Sequence, residues 1–147
     1  MFKNILIPTD GSPLSQKAAL KGIALAKSVG AKVTAFFAAP PATPIVYRNH
    51  LPVGFTTPAE HQKLIDQTAE RYLDVVRQAA KKAGVPCETI AVTSDYPADT
   101  ILKTAKKKKC DLIVMATHGR RGISGMILGS ETQRVVTRAE IPVLVYP

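Results

Sequence analysis

The 147-residue chain has no tryptophan, only two cysteines and 5% aromatic residues. Cys87 and Cys110 show no CxxC spacing, which removes a disulfide framework and a structural zinc site and leaves two reduced, buried thiols as the expectation. With four Phe and four Tyr the chain lacks the interleaved aromatics of a base-stacking platform. That disfavours nucleic acid as a partner, although the formal charge of +9 suits something anionic. No apolar run approaches the roughly 20 residues of a membrane span, so no membrane partner is expected. The start, Met1 to Pro8, carries one lysine and an apolar segment too short for a signal peptide, which predicts a cytoplasmic location. Two nucleotide signatures are missing as well: there is no GxxxxGK(S/T), and no GxGxxG after the first apolar run.

The apolar and charged shares, 46% and 21%, are those of an ordinary globular chain, and the length suits one domain over residues 1–147. Asn4-Ile5-Leu6-Ile7-Pro8 is an apolar run closed by Thr9-Asp10-Gly11-Ser12, and Ser12-Pro13 has the form of an N-cap followed by proline at the first helical position. Ala18, Ala19, Ile23, Leu25, Ala26 and Val29 give that helix a buried stripe, and Gly30 ends it. Val33 to Ala39 is the second strand. Pro40 to Pro58 holds five of the eleven prolines, which predicts a long loop or lid. Helical spacing returns from about Ala59 to Ala83 and stops at Gly84-Val85-Pro86. There follow a strand (Glu88 to Thr93), a helix capped by Ser94 or Asp95, a strand (Asp111 to Met115), a helix opened by the capping-box pattern Ser130-Glu131-Thr132-Gln133, and a strand (Ile141 to Tyr146). The run Lys106 to Lys109 falls in the last turn of a helix, where it reads as a solvated end that complements the dipole.

Strands that alternate with helices and are apolar at successive positions need cover on both faces. This predicts an α/β fold with a doubly wound, five-stranded parallel sheet and helices on each side, Rossmann-like in plan. Such sheets bind ligands beyond the carboxyl ends of their strands, where the strand order reverses. The candidate site is therefore Pro8, Thr9 and Asp10 together with the turn after Met115. In that turn Gly119, Gly122, Gly125 and Gly129 permit positive φ or close approach of a ligand, Ser130 opens a helix with unbonded amides, and Arg120 or Arg121 can add charge. His118 stands at the same strand exit, either toward phosphate or merely ordering the turn. Asp10, Ser12 and His118 do not make a nucleophilic triad, because no GxSxG elbow is present and Ser12 is better spent as a cap.

The order Ile5-to-Ser12, Asp111-to-Gly119, Gly129-Ser130 and Ile141-to-Val145 resembles the universal stress protein family over essentially the whole chain. Nine residues intervene between Gly119 and Gly129, as in the family motif G-x-x-G-x9-G-(S/T). The resemblance implies ATP as ligand, with magnesium arriving on its phosphates. Asp10 would lie by the ribose, Ala38 near the adenine, and Gly119, Gly129, Ser130 and the amides of Glu131 and Thr132 around the phosphates. Two features depart from it: Ala116 replaces the first motif glycine, and Glu131 puts a carboxylate beside the phosphate position. No metal-ligating spacing or catalytic set is visible, so slow hydrolysis or none is implied.

The last strand should lie at the sheet edge, where Ile141, Val143, Leu144 and Val145 are too apolar to stay bare. Its pairing with a second copy predicts a homodimer through Ile141 to Tyr146, as the resemblance also implies. Function as an adenine-nucleotide-binding stress protein is the first expectation. A stress-linked interaction module with a vestigial pocket is the alternative.

Overall fold

A computed structural model of the chain describes residues 1–41, 57–119 and 128–147. Its elements are β1 (Asn4–Pro8), α1 (Pro13–Val29), β2 (Lys32–Ala39), α2 (Pro58–Ala83), β3 (Cys87–Thr93), α3 (Pro97–Lys107), β4 (Leu112–Ala116), α4 (Ser130–Arg138) and β5 (Val143–Tyr146). The strands form one sheet in the order β3-β2-β1-β4-β5, and each pairing is parallel. The doubly wound five-stranded sheet expected from the sequence is the one observed. Most of the expected proline-rich loop lies outside the described residues, and no described helix is long and apolar enough to cross a membrane.

Two cores explain the unbroken apolar runs. Along β1, Ile5 and Ile7 point to one face and Leu6 to the other, as the two-residue period of a strand requires. The first face packs Val33, Ala35, Phe37 and Val114 against Ile23 and Ala26 of α1 and Leu73 and Val76 of α2. The second packs Leu6, Phe36, Ile113 and Met115 against Ala98, Ile101 and Ala105 of α3 and Val135 of α4. Each aliphatic side chain so buried contributes about 2 kcal/mol relative to exposure. The central strands therefore tolerate a polar residue only with a partner, as where Thr34 donates to the side-chain oxygen of Asn4 at 3.0 Å.

Helix ends follow local chemistry with two exceptions. Ser12 caps α1 by accepting the amide of Ser15 at 3.2 Å, and Gly30 and Gly84 close α1 and α2 in left-handed conformation. A full capping box is found at α2, between Thr57 and Glu60. At α4 the expected box does not form: Gly129 is the N-cap, Ser130 is the first helical residue, and no side chain caps the turn. At α3 the N-cap is Tyr96, also without a side-chain bond, while Ser94 accepts the amide of Tyr96 instead.

Candidate functional site

The sheet order reverses between β1 and β4, and the turns leaving these strands meet there. From β1 come Pro8 and Thr9, both buried, and Asp10, part-exposed. Thr9 extends the ladder by donating its amide to the Phe36 carbonyl at 2.8 Å, and its hydroxyl accepts the amide of Gly11 at 3.2 Å. Asp10 Oδ1 accepts the amide of Ser12 at 2.9 Å, which holds the carboxylate over the turn. Gly11 has φ of 76° and lies against the Tyr72 ring, so a β-carbon there would be both strained and obstructed. Tyr72 in turn sets its ring edge-on to Phe37, with centroids 5.4 Å apart. This aromatic wedge registers α2 against the turn and was not legible from the sequence, where Tyr72 is simply one residue of a helical stripe.

From β4 come Met115 and Ala116, buried, followed by part-buried His118 and exposed Gly119. The Thr117 hydroxyl and His118 Nδ1 lie 3.2 Å apart. Gly119 brings the two turns together: a β-carbon on it would fall on the Asp10 carboxylate. Gly129 closes on the same strand exit, where a β-carbon would stand 3.0 Å from His118 Cα. Neither glycine needs positive φ; both serve close approach. Ala116 likewise has no positive φ and sits as the last residue of β4, so its methyl is accommodated without backbone strain. Ala38 lies at the end of β2, paired with Val92. Arg120 and Arg121 fall outside the described residues, as do Gly122 and Gly125.

The start of α4 completes the site. Thr132 is buried and donates its hydroxyl to the Ala116 carbonyl at 2.9 Å, which ties the first turn of the helix to the end of β4. The Gly129 amide donates to the Thr117 carbonyl at 2.6 Å and is already used. The amides of Ser130, Glu131 and Thr132 find no acceptor among the described residues, as the first turn of a helix dictates. Glu131, the expected source of repulsion, points elsewhere: Oε2 accepts the Ala98 amide at 3.0 Å and Oε1 pairs with Arg134. Its carboxylate thus supplies the N-terminal cap that Tyr96 does not give to α3. Among the described residues, no group of three or more His, Cys, Asp and Glu side chains could hold a metal ion.

The arrangement is an anion cradle beside a carboxylate. A helix N-terminus offers oriented amides and the positive end of a dipole, and Asp10 stands at the neighbouring strand exit as a hydroxyl acceptor. Phosphate at the first position and a sugar hydroxyl at the second suit this pair.

The family described as universal stress protein matches residues 1–147. A universal stress protein of Methanocaldococcus jannaschii is 36% identical over 99% of this chain and 82% of its own length. One from Thermus aquaticus is 35% identical over 98% of each chain. Among solved structures, a universal stress protein in complex with cAMP superposes with a TM-score of 0.69 at 25% identity, over 99% of this chain and 96% of its own.

Proposed function

The chain belongs to the universal stress protein family, and on that premise we propose that it binds an adenine nucleotide, ATP foremost, in the crevice beyond β1 and β4. The observation that carries the reading is the start of α4, where the amides of Ser130, Glu131 and Thr132 have no acceptor among the described residues and the Glu131 carboxylate is turned away to α3. Gly119 and Gly129 support the reading by letting the chain after β4 close on Asp10 and on His118, where a β-carbon would collide. Asp10 would accept from the ribose hydroxyls, Ala38 and Met115 would line the adenine side, and Gly119, Gly129 and Ser130 would border the phosphates. Pro8 and Thr9 would hold Asp10 in place, and His118 and Arg120 would add contacts to phosphate. Magnesium would enter on the phosphates, with Asp10 the protein carboxylate at hand. The relative crystallised with cAMP supports an adenine nucleotide as the ligand class.

Among the described residues, Ser12 is a helix cap and the His118 Nδ1 atom lies against the Thr117 hydroxyl, so neither is set to activate a water molecule. The protein is therefore read as a holder of nucleotide in a cytoplasmic stress response, with hydrolysis slow or absent, acting as a homodimer through β5. Titration calorimetry with ATP, ADP, AMP and cAMP, with and without magnesium, is the test. Heat of binding that saturates in the millimolar range or below supports the reading, and silence with every nucleotide removes it.

A second reading, the interaction module with a vestigial pocket, is favoured by the Gly129 amide, which is already bonded to Thr117. Ala116→Gly separates the two. It restores the family motif, and should leave affinity nearly unchanged if the pocket already works but create binding if the methyl has closed it.

A further inference from the structure

Helices that return across a parallel sheet end where its strands begin. The last turns of α1, α2, α3 and α4 therefore share one end of the molecule with the first residues of β1 and β2, away from the nucleotide crevice. Each of those four last turns carries a cation, at Lys27, at Lys81 and Lys82, at Lys106 and Lys107, and at Arg138. Dipole complementarity explains cations in these positions. It does not explain Lys3 and Lys32, exposed at the strand starts. Two hollows open on this end. One of about 340 Å³ is bordered by Lys3, Lys27 and Lys32. The other, of about 440 Å³, is bordered by Lys103, Lys106, Lys109 and Arg138.

The acids nearby are mostly engaged. Glu88 pairs with Lys108 at 2.6 Å and Asp111 accepts the backbone amides of Lys3 and Asn4, while Arg138 is itself paired with Asp99 in the first turn of α3. Glu140 also borders the larger hollow. The result is a lysine-dominated surface assembled from five elements and the residue before β1, to which the consecutive run Lys106 to Lys109 is only one contributor.

We propose that this end binds the phosphate backbone of a nucleic acid duplex without regard to sequence. The reading goes beyond nucleotide binding and does not rest on it. Lysines act as point charges suited to phosphate oxygens rather than as planar forks for base edges. The shortage of aromatics argues against stacking on single strands but leaves backbone contact to a duplex open. An anionic bilayer is the competing polyanion. Of the large exposed apolar side chains among the described residues, Met1 and Val136, the latter in the last turn of α4, stand at this end, whereas Leu20, Leu64, Val75, Tyr96 and Leu144 do not; two side chains on separate elements make a small surface to insert.

Fluorescence anisotropy of a labelled mixed-sequence DNA duplex, titrated with the full chain in the absence of nucleotide over a salt series, tests this. Each phosphate neutralised adds about −0.9 to the slope of log K against log salt. The double variant Lys32→Gln/Lys106→Gln should weaken binding at low salt by about tenfold and reduce the slope by about 2. The control Lys17→Gln/Lys21→Gln makes the same charge change on the exposed side of α1 and should leave affinity and slope nearly unchanged. Melting curves of both variants check that the fold is retained. Equal losses from the two pairs would reduce the effect to bulk charge and overturn the proposal. So would a wild-type slope smaller in magnitude than about 2, which no contact by several lysines could give. Tighter binding to phosphatidylserine vesicles than to duplex, at matched anionic charge, would overturn it in favour of a membrane surface.

Discussion

Single residues decide whether the two turns of the crevice can touch. Gly119→Ala would push the Asp10 carboxylate off the Ser12 amide, so nucleotide affinity is expected to fall by about tenfold, roughly 1.4 kcal/mol, with little change in melting temperature, as calorimetry and thermal unfolding would show. Gly11→Ala should behave differently, because left-handed backbone and the Tyr72 ring both oppose the methyl: a loss of about 2 kcal/mol in denaturant unfolding is expected. Lys109 is the converse case. It is the non-glycine residue at positive φ among those described, with φ of 54°, so Lys109→Gly should raise stability by about 0.5–1 kcal/mol in the same measurement. Burial pushes the Cys110 thiol above its ordinary range, with a bond toward Thr34 opposing. The thiol therefore stays protonated at neutral pH, and alkylation of Cys110 by iodoacetamide should be slow in the native protein and fast in denaturant.

At the level of the element, α4 is held by side chains that look, in sequence, like parts of a phosphate loop. Thr132 ties it to β4 and Glu131 ties it to α3, while the expected capping box with Ser130 and Gln133 is absent. Ser130 is left at the first helical position, where its amide finds no acceptor among the described residues. Glu131→Ala should cost about 1 kcal/mol in chemical denaturation through loss of the α3 cap, without a compensating loss of nucleotide affinity. A large drop in affinity would show instead that the carboxylate lies in the ligand site. Sequence could not place this contact, since Glu131 and Ala98 are distant along the chain and meet only because α3 and α4 cover the same face of the sheet.

For the whole molecule, the open question at the sheet edge is what covers β5. The strand order puts it at the rim, and Leu144 is 41% exposed there. The carbonyls of Pro142 and Tyr146 accept from Ile113 and Thr117, so the alternating pattern of a parallel ladder turns Val143 and Val145 away from β4. If a second copy pairs along that rim, Val145→Pro removes an outward amide while sparing the β4 contacts. Sedimentation velocity should then change from dimer to monomer with the fold retained.

The alternation of apolar runs with helical stripes was enough to predict the doubly wound sheet, and chain direction was enough to predict that the turns after β1 and β4 meet, as Asp10 and Gly119 do. Those inferences rest on periodicity and chain direction, which are local properties of a sequence. What periodicity cannot supply is which polar groups are spent on one another. The use of the Gly129 amide by Thr117, the diversion of Glu131 to α3, the wedge of Tyr72 on Gly11 and the gathering of scattered lysines at one end all join residues far apart in the chain. Only the packed layers bring these groups within reach, because hydrogen bonds and charge act over a few ångströms in space and take no account of separation along the backbone.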